Sequence, residues 1–228
     1  NRYESGIYKV ALAGYTNAGK SSLLNAVTGS EVLSYDKLFA TLDSTTRKLV
    51  LPEGREITLT DTVGFIQKLP HTLVEAFKST LDEINGANLV LHVVDVSDPA
   101  FLDQIDTVNQ VLEEIGAQKI ARLEVFNKVD QLDEDQRIAL QHRFPQALFT
   151  STVTGYGIDN LLRSIALAAS AQEKLIHVVI PFSRGDLVSL AHQNATILSE
   201  DYSAEGTELT LRLSPTMVSH FKSFIVNK

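Results

Sequence analysis

From Tyr8 to about Ala169, short β-branched or apolar runs alternate with longer stretches of helical periodicity. The runs are "YKVALA", "RKLVL", "EITLTD", "LVLHVVD", "RLEVFN" and "ALFTS". Alternation of this kind predicts an α/β fold, a mostly parallel sheet with helices on both faces. "PEGR", between the second and third runs, has turn residues, so these two strands form a hairpin and one strand of the sheet runs antiparallel. Two helices declare their buried stripes. "TLVEAFKSTLDEI" aligns Leu73, Phe77, Leu81 and Ile84, and "LDQIDTVNQVLEEI" aligns Ile105, Val108, Leu112 and Ile115.

The pattern changes at "ASAQEK", a small polar segment after a strong helix, and a domain boundary is expected there: residues 1–170 form one domain and 175–228 a small α/β domain. In the second, "LIHVVIP" reads as a strand, "RGDLVSLAHQN" as a helix, "TILSEDY" and "TELTLRL" as a hairpin across "SAEG", and "SPTMVSHFKSFI" as a helix opened by Ser214 and Pro215. No internal repeat or low-complexity tract interrupts either part.

Composition narrows the function classes. Hydrophobic residues make up 44% of the 228 and charged residues 21%, and no run approaches the ~20 apolar residues of a transmembrane helix. A soluble, cytoplasmic protein is expected. The absence of Cys removes disulfides, thiolate nucleophiles and Cys-ligated zinc together. A formal charge of -8 argues against a free-standing domain held on nucleic acid by charge alone, which leaves a local basic patch open. The chain opens at Asn1 with no initiator Met, basic region or apolar leader, so it is expected to carry no secretory signal and to be a piece of a longer protein.

"GYTNAGKS" satisfies G-x-x-x-x-G-K-[ST] from Gly14 to Ser21, between a strand and a helix. Gly14 and Gly19 let the backbone curl so that its N–H groups point inward, and the helix N-terminus adds partial positive charge, a cradle for phosphate oxygens. Lys20 would bridge the β- and γ-phosphates, and the Ser21 hydroxyl suits Mg²⁺. The bland alternative is a glycine turn with an exposed Lys. In "LTDTVGF", Asp61 ends a strand where a Mg²⁺-associated carboxylate belongs, and Gly64 is free to turn its N–H toward a γ-phosphate. "VFNKVD" supplies Asn127, Lys128 and Asp130. A carboxylate at Asp130 can accept from both N1–H and the 2-amino group of guanine, whereas adenine would leave it unpaired, a discrimination of roughly 2 to 4 kcal/mol or more. "TSTVTGYG" would close the base pocket, with backbone N–H groups near Ser151 and Thr152 reaching the guanine carbonyl; an ordinary polar loop is the alternative.

With "GYTNAGKS", "DTVGF", "NKVD" and "STVTG" in this order, the chain resembles the translation-factor-like GTPases, a P-loop NTPase fold of the Ras-like type. Through "VALAGYTNAGKSSLLNAV", "LFATLDSTTR", "DTVGFIQKLPHTLVEAFKSTLDEI" and "LVLHVVDVSDP" it resembles more closely the HflX family of ribosome-associated bacterial GTPases. The resemblance implies GTP hydrolysis to GDP and phosphate, Mg²⁺ as cofactor at Ser21, Thr41 and Asp61, and catalysis carried by Lys20, Gly64 and Thr41. It implies nucleotide contacts from Gly14, Asn17, Ala18, Gly19, Lys20, Ser21, Ser22, Asn127, Lys128, Asp130, Ser151 and Thr152. It also implies an N-terminal domain, not seen here, that carries most of the contact with the large ribosomal subunit, and a role in ribosome binding, splitting or rescue. A monomer with no membrane anchor is expected. Two departures from the family pattern are mild: Ser44 stands where "LDPTTR" is usual, and Thr152 where "SAxTG" is usual.

Whether the nucleotide is broken turns on a few positions. "FATLDSTTR" offers Thr41, Thr45 and Thr46 for sensing Mg²⁺ and the γ-phosphate, and resemblance to Obg-like switches selects Thr41. Many GTPases place a water-orienting Gln directly after the DxxG glycine. Here that residue is Phe65, so slow intrinsic turnover is expected, with Phe65 packing in the switch region and a partner such as the ribosome supplying the missing polarisation. Asn17 resembles the P-loop Asn of GTPases that hold K⁺ against the phosphates, unless it only hydrogen-bonds within the loop. Gln67 and His71 lie near enough in sequence to approach the water, but neither is selected, and for His71, which begins a predicted helix after Pro70, a capping or surface role is expected. None of the six His residues forms an H-x-x-x-H pair, and His92 is expected in the core. The competing function is a guanine-nucleotide-binding regulatory module with negligible hydrolysis. A membrane-associated adaptor has no lipidation motif or basic amphipathic stretch to support it.

Overall fold

The computed structural model describes residues 7–29, 44–65 and 78–226, with side chains from residue 81 in the third stretch. The chain divides into two compact units, one of Lys9–Ala168 and one that takes Ala169 onward together with the residues up to Tyr8. Of the first predicted helical stripe, Leu73 and Phe77 lie outside the described residues.

The first unit is built on a six-stranded sheet in the order β2-β3-β1-β4-β5-β6. Its strands are β1 (Tyr8–Gly14), β2 (Thr45–Val50), β3 (Glu56–Asp61), β4 (Leu89–Asp95), β5 (Ala121–Asn127) and β6 (Leu148–Phe149). β1 pairs parallel with β4, β4 with β5 and β5 with β6, while β2 and β3 form the antiparallel hairpin. The turn at "PEGR" closes with Leu51 N–H to Arg55 O at 2.8 Å, and Gly54 takes φ 92°, a left-handed angle that glycine adopts without Cβ strain. β1 and β4 are the inner strands. Val10 to Gly14 and Leu89 to Val94 are buried without a break, as a strand covered on both faces requires.

The helices of this unit are α1 (Lys20–Thr28), α2 (Lys78–Asn85), α3 (Phe101–Glu114), α4 (Glu134–Arg143) and α5 (Ile158–Ala171). One core cluster joins Ala11, Ala13 and Val90 of the sheet to Leu81 and Ile84 of α2 and Val108 and Leu112 of α3, with Val63 and Phe65 among them. A second gathers around Phe126, which meets Phe101, Phe144 and Phe149 edge-on at 5.0 to 6.1 Å between ring centres. The α3 stripe is buried at Ile105, Val108 and Leu112, while Ile115 is half-buried at the helix end. Asp82, Glu83, Glu113 and Glu114 are exposed. α4 has no buried residue and therefore no apolar stripe to announce it. Its start is set by a capping box in which Asp133 accepts from Gln136 N–H at 2.8 Å and Asp133 N–H donates back to the Gln136 side chain at 3.0 Å.

The second unit carries a three-stranded antiparallel sheet, β7 (Lys174–Ile180), β8 (Thr196–Tyr202) and β9 (Thr207–Leu213), in the order β7-β9-β8. Helices α6 (Gly185–Asn194) and α7 (Pro215–Phe221) supply Leu187, Ala191, Met217 and Phe221 to a core with Ile176, Val178, Ile180, Leu209, Leu211 and Leu213. Alternation puts Ile176, Val178 and Ile180 of β7 and Leu209, Leu211 and Leu213 of β9 into this core. Gly206 cannot take a side chain: a Cβ there would collide with the Ile180 carbonyl, and its φ is +153°.

His92 sits in the middle of β4, beside Ala13 on β1 and Glu124 on β5. It is 1% exposed, and its Nδ1 has no hydrogen-bond partner among the described residues. Burial first, and then the charges of Arg122 and Lys20, push its pKa down to about 3 from 6.5. The folded state thus holds the ring neutral, while the unfolded chain takes up a proton as pH falls below 6.5. Stability is unaffected by this group above that pH and is lost progressively as pH falls toward 3. Linkage predicts a loss of about 2 kcal/mol between pH 7 and pH 5 from His92. Urea unfolding at the two pH values, on this protein and on His92→Leu, measures it; an equal pH dependence in the variant would contradict the assignment.

Candidate functional site

β1 delivers the chain to Gly14, where a Cβ would collide with the Val93 carbonyl on β4, so the loop can leave the sheet this close to β4 only with glycine. Asn17 then takes φ 62° and Gly19 φ 94°, two left-handed residues that wrap the loop before α1 begins at Lys20. α1 has no side-chain cap, so the N–H groups of its first turn point into the loop. Ala18 is buried under the loop and Asn17 is exposed on it, while Ser21 and Ser22 are half-buried in the first turn.

Lys20 is 6% exposed, and its ammonium donates to the carbonyls of Gly14 at 3.5 Å and Tyr15 at 3.4 Å. Burial lowers its pKa, opposed by the charge of Asp61. Ser21 Oγ donates to Asp61 Oδ2 at 2.5 Å, which brings two sequence-predicted ligands from the start of α1 and the end of β3 into contact. A hydroxyl and a carboxylate at this separation are hard oxygen donors and fit Mg²⁺. Among the described residues no group of three or more His, Asp or Glu side chains could hold a metal, so an ion here would keep waters and phosphate oxygens as its other ligands.

Thr41 lies outside the described residues, as do Gln67 and His71. Of the other two switch candidates, Thr46 shares a hydroxyl hydrogen bond with Thr60 at 2.8 Å across the hairpin, and Thr45 opens β2 opposite Asp61. Gly64 packs against the loop so closely that a Cβ would stand 2.8 Å from Thr16 Cα and 3.3 Å from Lys20 Nζ. Phe65 follows at 1% exposure, in the core with Val63 and Ile84. Its backbone bridges to the Gly14–Gly19 loop: Thr16 N–H donates to Phe65 O at 2.7 Å and Phe65 N–H to Gly14 O at 3.0 Å.

The third part lies at the ends of β5 and β6. Asn127 is fully buried and donates Nδ2–H to Ala18 O at 3.2 Å; Gly19 is the residue that lets it approach, since a Cβ there would meet Nδ2. Lys128, at φ 66°, donates to Asn17 O at 3.1 Å. Asp130 accepts from Ser151 Oγ at 2.5 Å, which orients its carboxylate. Backbone N–H groups near Ser151 and Thr152 are the ones expected to face a base, and the structure gives the Ser151 one a partner within the loop. The Ser151 N–H donates to Tyr156 O at 3.0 Å inside the loop. Sequence reading also missed Thr150, which donates to Asn127 Oδ1 at 3.3 Å, and Asp95, 2.7 Å from Lys128 Nζ. "VVD" gives Asp95 no motif; only the parallel register of Asp95 with Asn127 puts it there.

Residues 9–128 match the family described as 50S ribosome-binding GTPase. The GTPase HflX of Akkermansia muciniphila is 42% identical over 232 residues, covering 100% of this chain and 53% of its own length. The GTPase HflX of Caldanaerobacter subterraneus subsp. tengcongensis is 40% identical over 226 residues, 99% of this chain and 52% of its own. The chain spans about half the length of the curated relatives it matches. Among solved structures, a GTP-binding protein from the hyperthermophilic archaeon Sulfolobus solfataricus in complex with GDP superposes with a TM-score of 0.56 at 26% identity, covering 72% of this chain and 53% of that one.

Replacing Asn127 by Ala removes the donor to Ala18 O and the acceptor of Thr150 Oγ1 in a fully buried place. It is expected to cost about 2 to 4 kcal/mol of stability without any ligand. Urea unfolding of the unliganded variant tests this, and an unchanged midpoint would mean that the phosphate loop is held by other contacts.

Proposed function

The chain belongs to the 50S ribosome-binding GTPase family and, by its match along the whole length, to the HflX group, and from this premise we propose that it binds guanine nucleotides with Mg²⁺ and hydrolyses GTP. The observation that carries the reading is the convergence of three separate chain segments, Gly14–Ser21, Asp61–Gly64 and Asn127–Asp130, through side-chain and backbone contacts. We assign residues 1–170 to the GTP-binding domain and 175–228 to a small C-terminal α/β domain.

The roles follow from the chemistry of each group. Backbone N–H groups from Asn17 to Ser22 cradle the phosphates, and the Lys20 ammonium exchanges its two carbonyl partners for β- and γ-phosphate oxygens. Ser21 and Asp61, with Thr41, would hold Mg²⁺, which would supply charge neutralisation at the phosphates. Gly64 presents its N–H at the γ-phosphate side of Lys20. Asp130, oriented by Ser151, accepts from N1–H and the 2-amino group of guanine, and Thr152 N–H meets the guanine carbonyl.

Phe65, buried and apolar, has no group with which to orient a water, so intrinsic hydrolysis is slow. We propose that the large ribosomal subunit stimulates it in the full-length protein, which acts in the cytoplasm as a monomer in ribosome binding, splitting or rescue. Asn17 is exposed, and Lys128 engages only its backbone carbonyl, so its side-chain amide oxygen is available to a K⁺ ion beside the phosphates. The burial of Phe65 also favours a second reading, a regulatory module that holds guanine nucleotides with negligible hydrolysis.

Phosphate release from Mg²⁺-GTP, in K⁺ and in Na⁺ buffer, with and without large ribosomal subunits, separates these readings. Slow release raised by subunits, and higher in K⁺, is expected. Release that stays at background in every condition, in the full-length protein as well, would leave only the binding module.

Asp130→Asn should weaken GDP binding about 30- to 1,000-fold and favour xanthine nucleotides, because an amide can donate to the 2-oxo group where a carboxylate cannot. Calorimetry with GDP and xanthosine diphosphate reads this directly. An unchanged preference would remove Asp130 from the base pocket.

A further inference from the structure

Two side chains at the end of β5 reach the phosphate loop. Asn127 does so as a neutral amide in a fully buried position. Lys128 does so as a charge, and its ammonium has two partners: Asn17 O at 3.1 Å and Asp95 Oδ2 at 2.7 Å. Asp95 ends β4 and belongs to none of the nucleotide motifs.

The geometry around Asp95 is that of a fixed carboxylate. Its Oδ1 accepts from Ser97 N–H at 3.0 Å and from Ser97 Oγ at 2.5 Å, which leaves Oδ2 turned to Lys128. Val96 N–H donates to Asn127 O at 3.2 Å, so the ends of β4 and β5 are tied together at the same level. The two side chains are 14% and 23% exposed, a pair largely withdrawn from solvent screening. Lys128 also holds a left-handed backbone angle, which disfavours a residue with a Cβ, and Asn17 on the other side of the contact holds another. A Lys ammonium is a strongly hydrated charge on a flexible stem, and without a carboxylate it is drawn toward water and away from a neutral carbonyl.

We propose that Asp95 is a positioning residue of the nucleotide site: it keeps the Lys128 ammonium on the Asn17 carbonyl and thereby fixes the exposed turn of the phosphate loop. The inference rests on the guanine-nucleotide reading. Asp95 touches neither the nucleotide nor the metal; it acts through Lys128. Its loss frees the loop turn, and bound nucleotide escapes faster. The γ-phosphate end of the site, at Lys20 and Gly64, is untouched.

The test is the dissociation rate of a fluorescent GDP analogue chased with GDP, beside single-turnover GTP hydrolysis, on the 228-residue chain. Asp95→Asn keeps size and shape while removing the charge, and is expected to speed dissociation about tenfold. Lys128→Met should do the same, and the double variant should be no faster than the faster single. In Asp95→Asn the single-turnover rate should stay within about twofold, a split that general loosening of the fold would not give. Ser97→Ala, which retains both charges, should speed dissociation about threefold and carries the test if Asp95→Asn does not fold. Unchanged dissociation in either Asp95→Asn or Ser97→Ala, or additive effects of Asp95→Asn and Lys128→Met, would overturn the proposal. Failure of the unaltered chain to retain GDP would overturn the guanine reading and this inference with it, whereas tight GDP binding with an indifferent Asp95 would overturn this inference alone.

Discussion

The hydrogen bond from Asn127 Nδ2 to the Ala18 carbonyl joins residues 109 apart in sequence, and most of the candidate site is arranged around it. It requires glycine at position 19 for clearance, β5 alongside β4 to bring Asn127 to the sheet's end, and Thr150 to hold the amide oxygen. The loop it steadies is short, rich in left-handed residues and without a side-chain cap, conformations that backbone sterics alone would not favour. A buried amide bonded on both its polar atoms resists rotation, because turning it would strand a donor and an acceptor away from water. The rigid sheet thus sets the shape of the loop.

The same loop keeps a buried ammonium. Lys20 is withdrawn from solvent with two carbonyls as acceptors and a carboxylate near enough to oppose the effect of burial on its pKa. Desolvation of this kind is costly in the fold. A desolvated cation gains more from an incoming anion than one already in water. Phe65 works in the opposite sense. Its ring anchors the segment after Asp61 in the apolar core, while its backbone spans to Gly14 and Thr16, so packing and backbone hydrogen bonds hold this segment against the loop.

The second unit shows how far local chemistry reaches. Alternation in β7 and β9, proline at the first position of α7 and a glycine turn before β9 are all local, and each element forms where such signals stand. That β9 lies between β7 and β8 follows instead from which faces need covering: Leu209, Leu211 and Leu213 are buried only when strands flank them on both edges and α6 and α7 close over one face.

Read alone, the sequence determined what depends on local backbone geometry and on side-chain period. The six runs of the first sheet, the hairpin at "PEGR", the α3 stripe and the glycine-framed loop before α1 are of this kind. α4 escaped the apolar pattern because it buries nothing, and only its capping box marks it. Long-range register was decided by the tertiary structure. Ser151 spends its N–H on Tyr156 O and its hydroxyl on Asp130, a division that no motif expresses. Asp95 meets Lys128 because β4 and β5 run parallel with Asp95 opposite Asn127. The physical reason is that a motif records the conformations a few consecutive residues can adopt, whereas a hydrogen bond between strands depends on how the whole sheet packs.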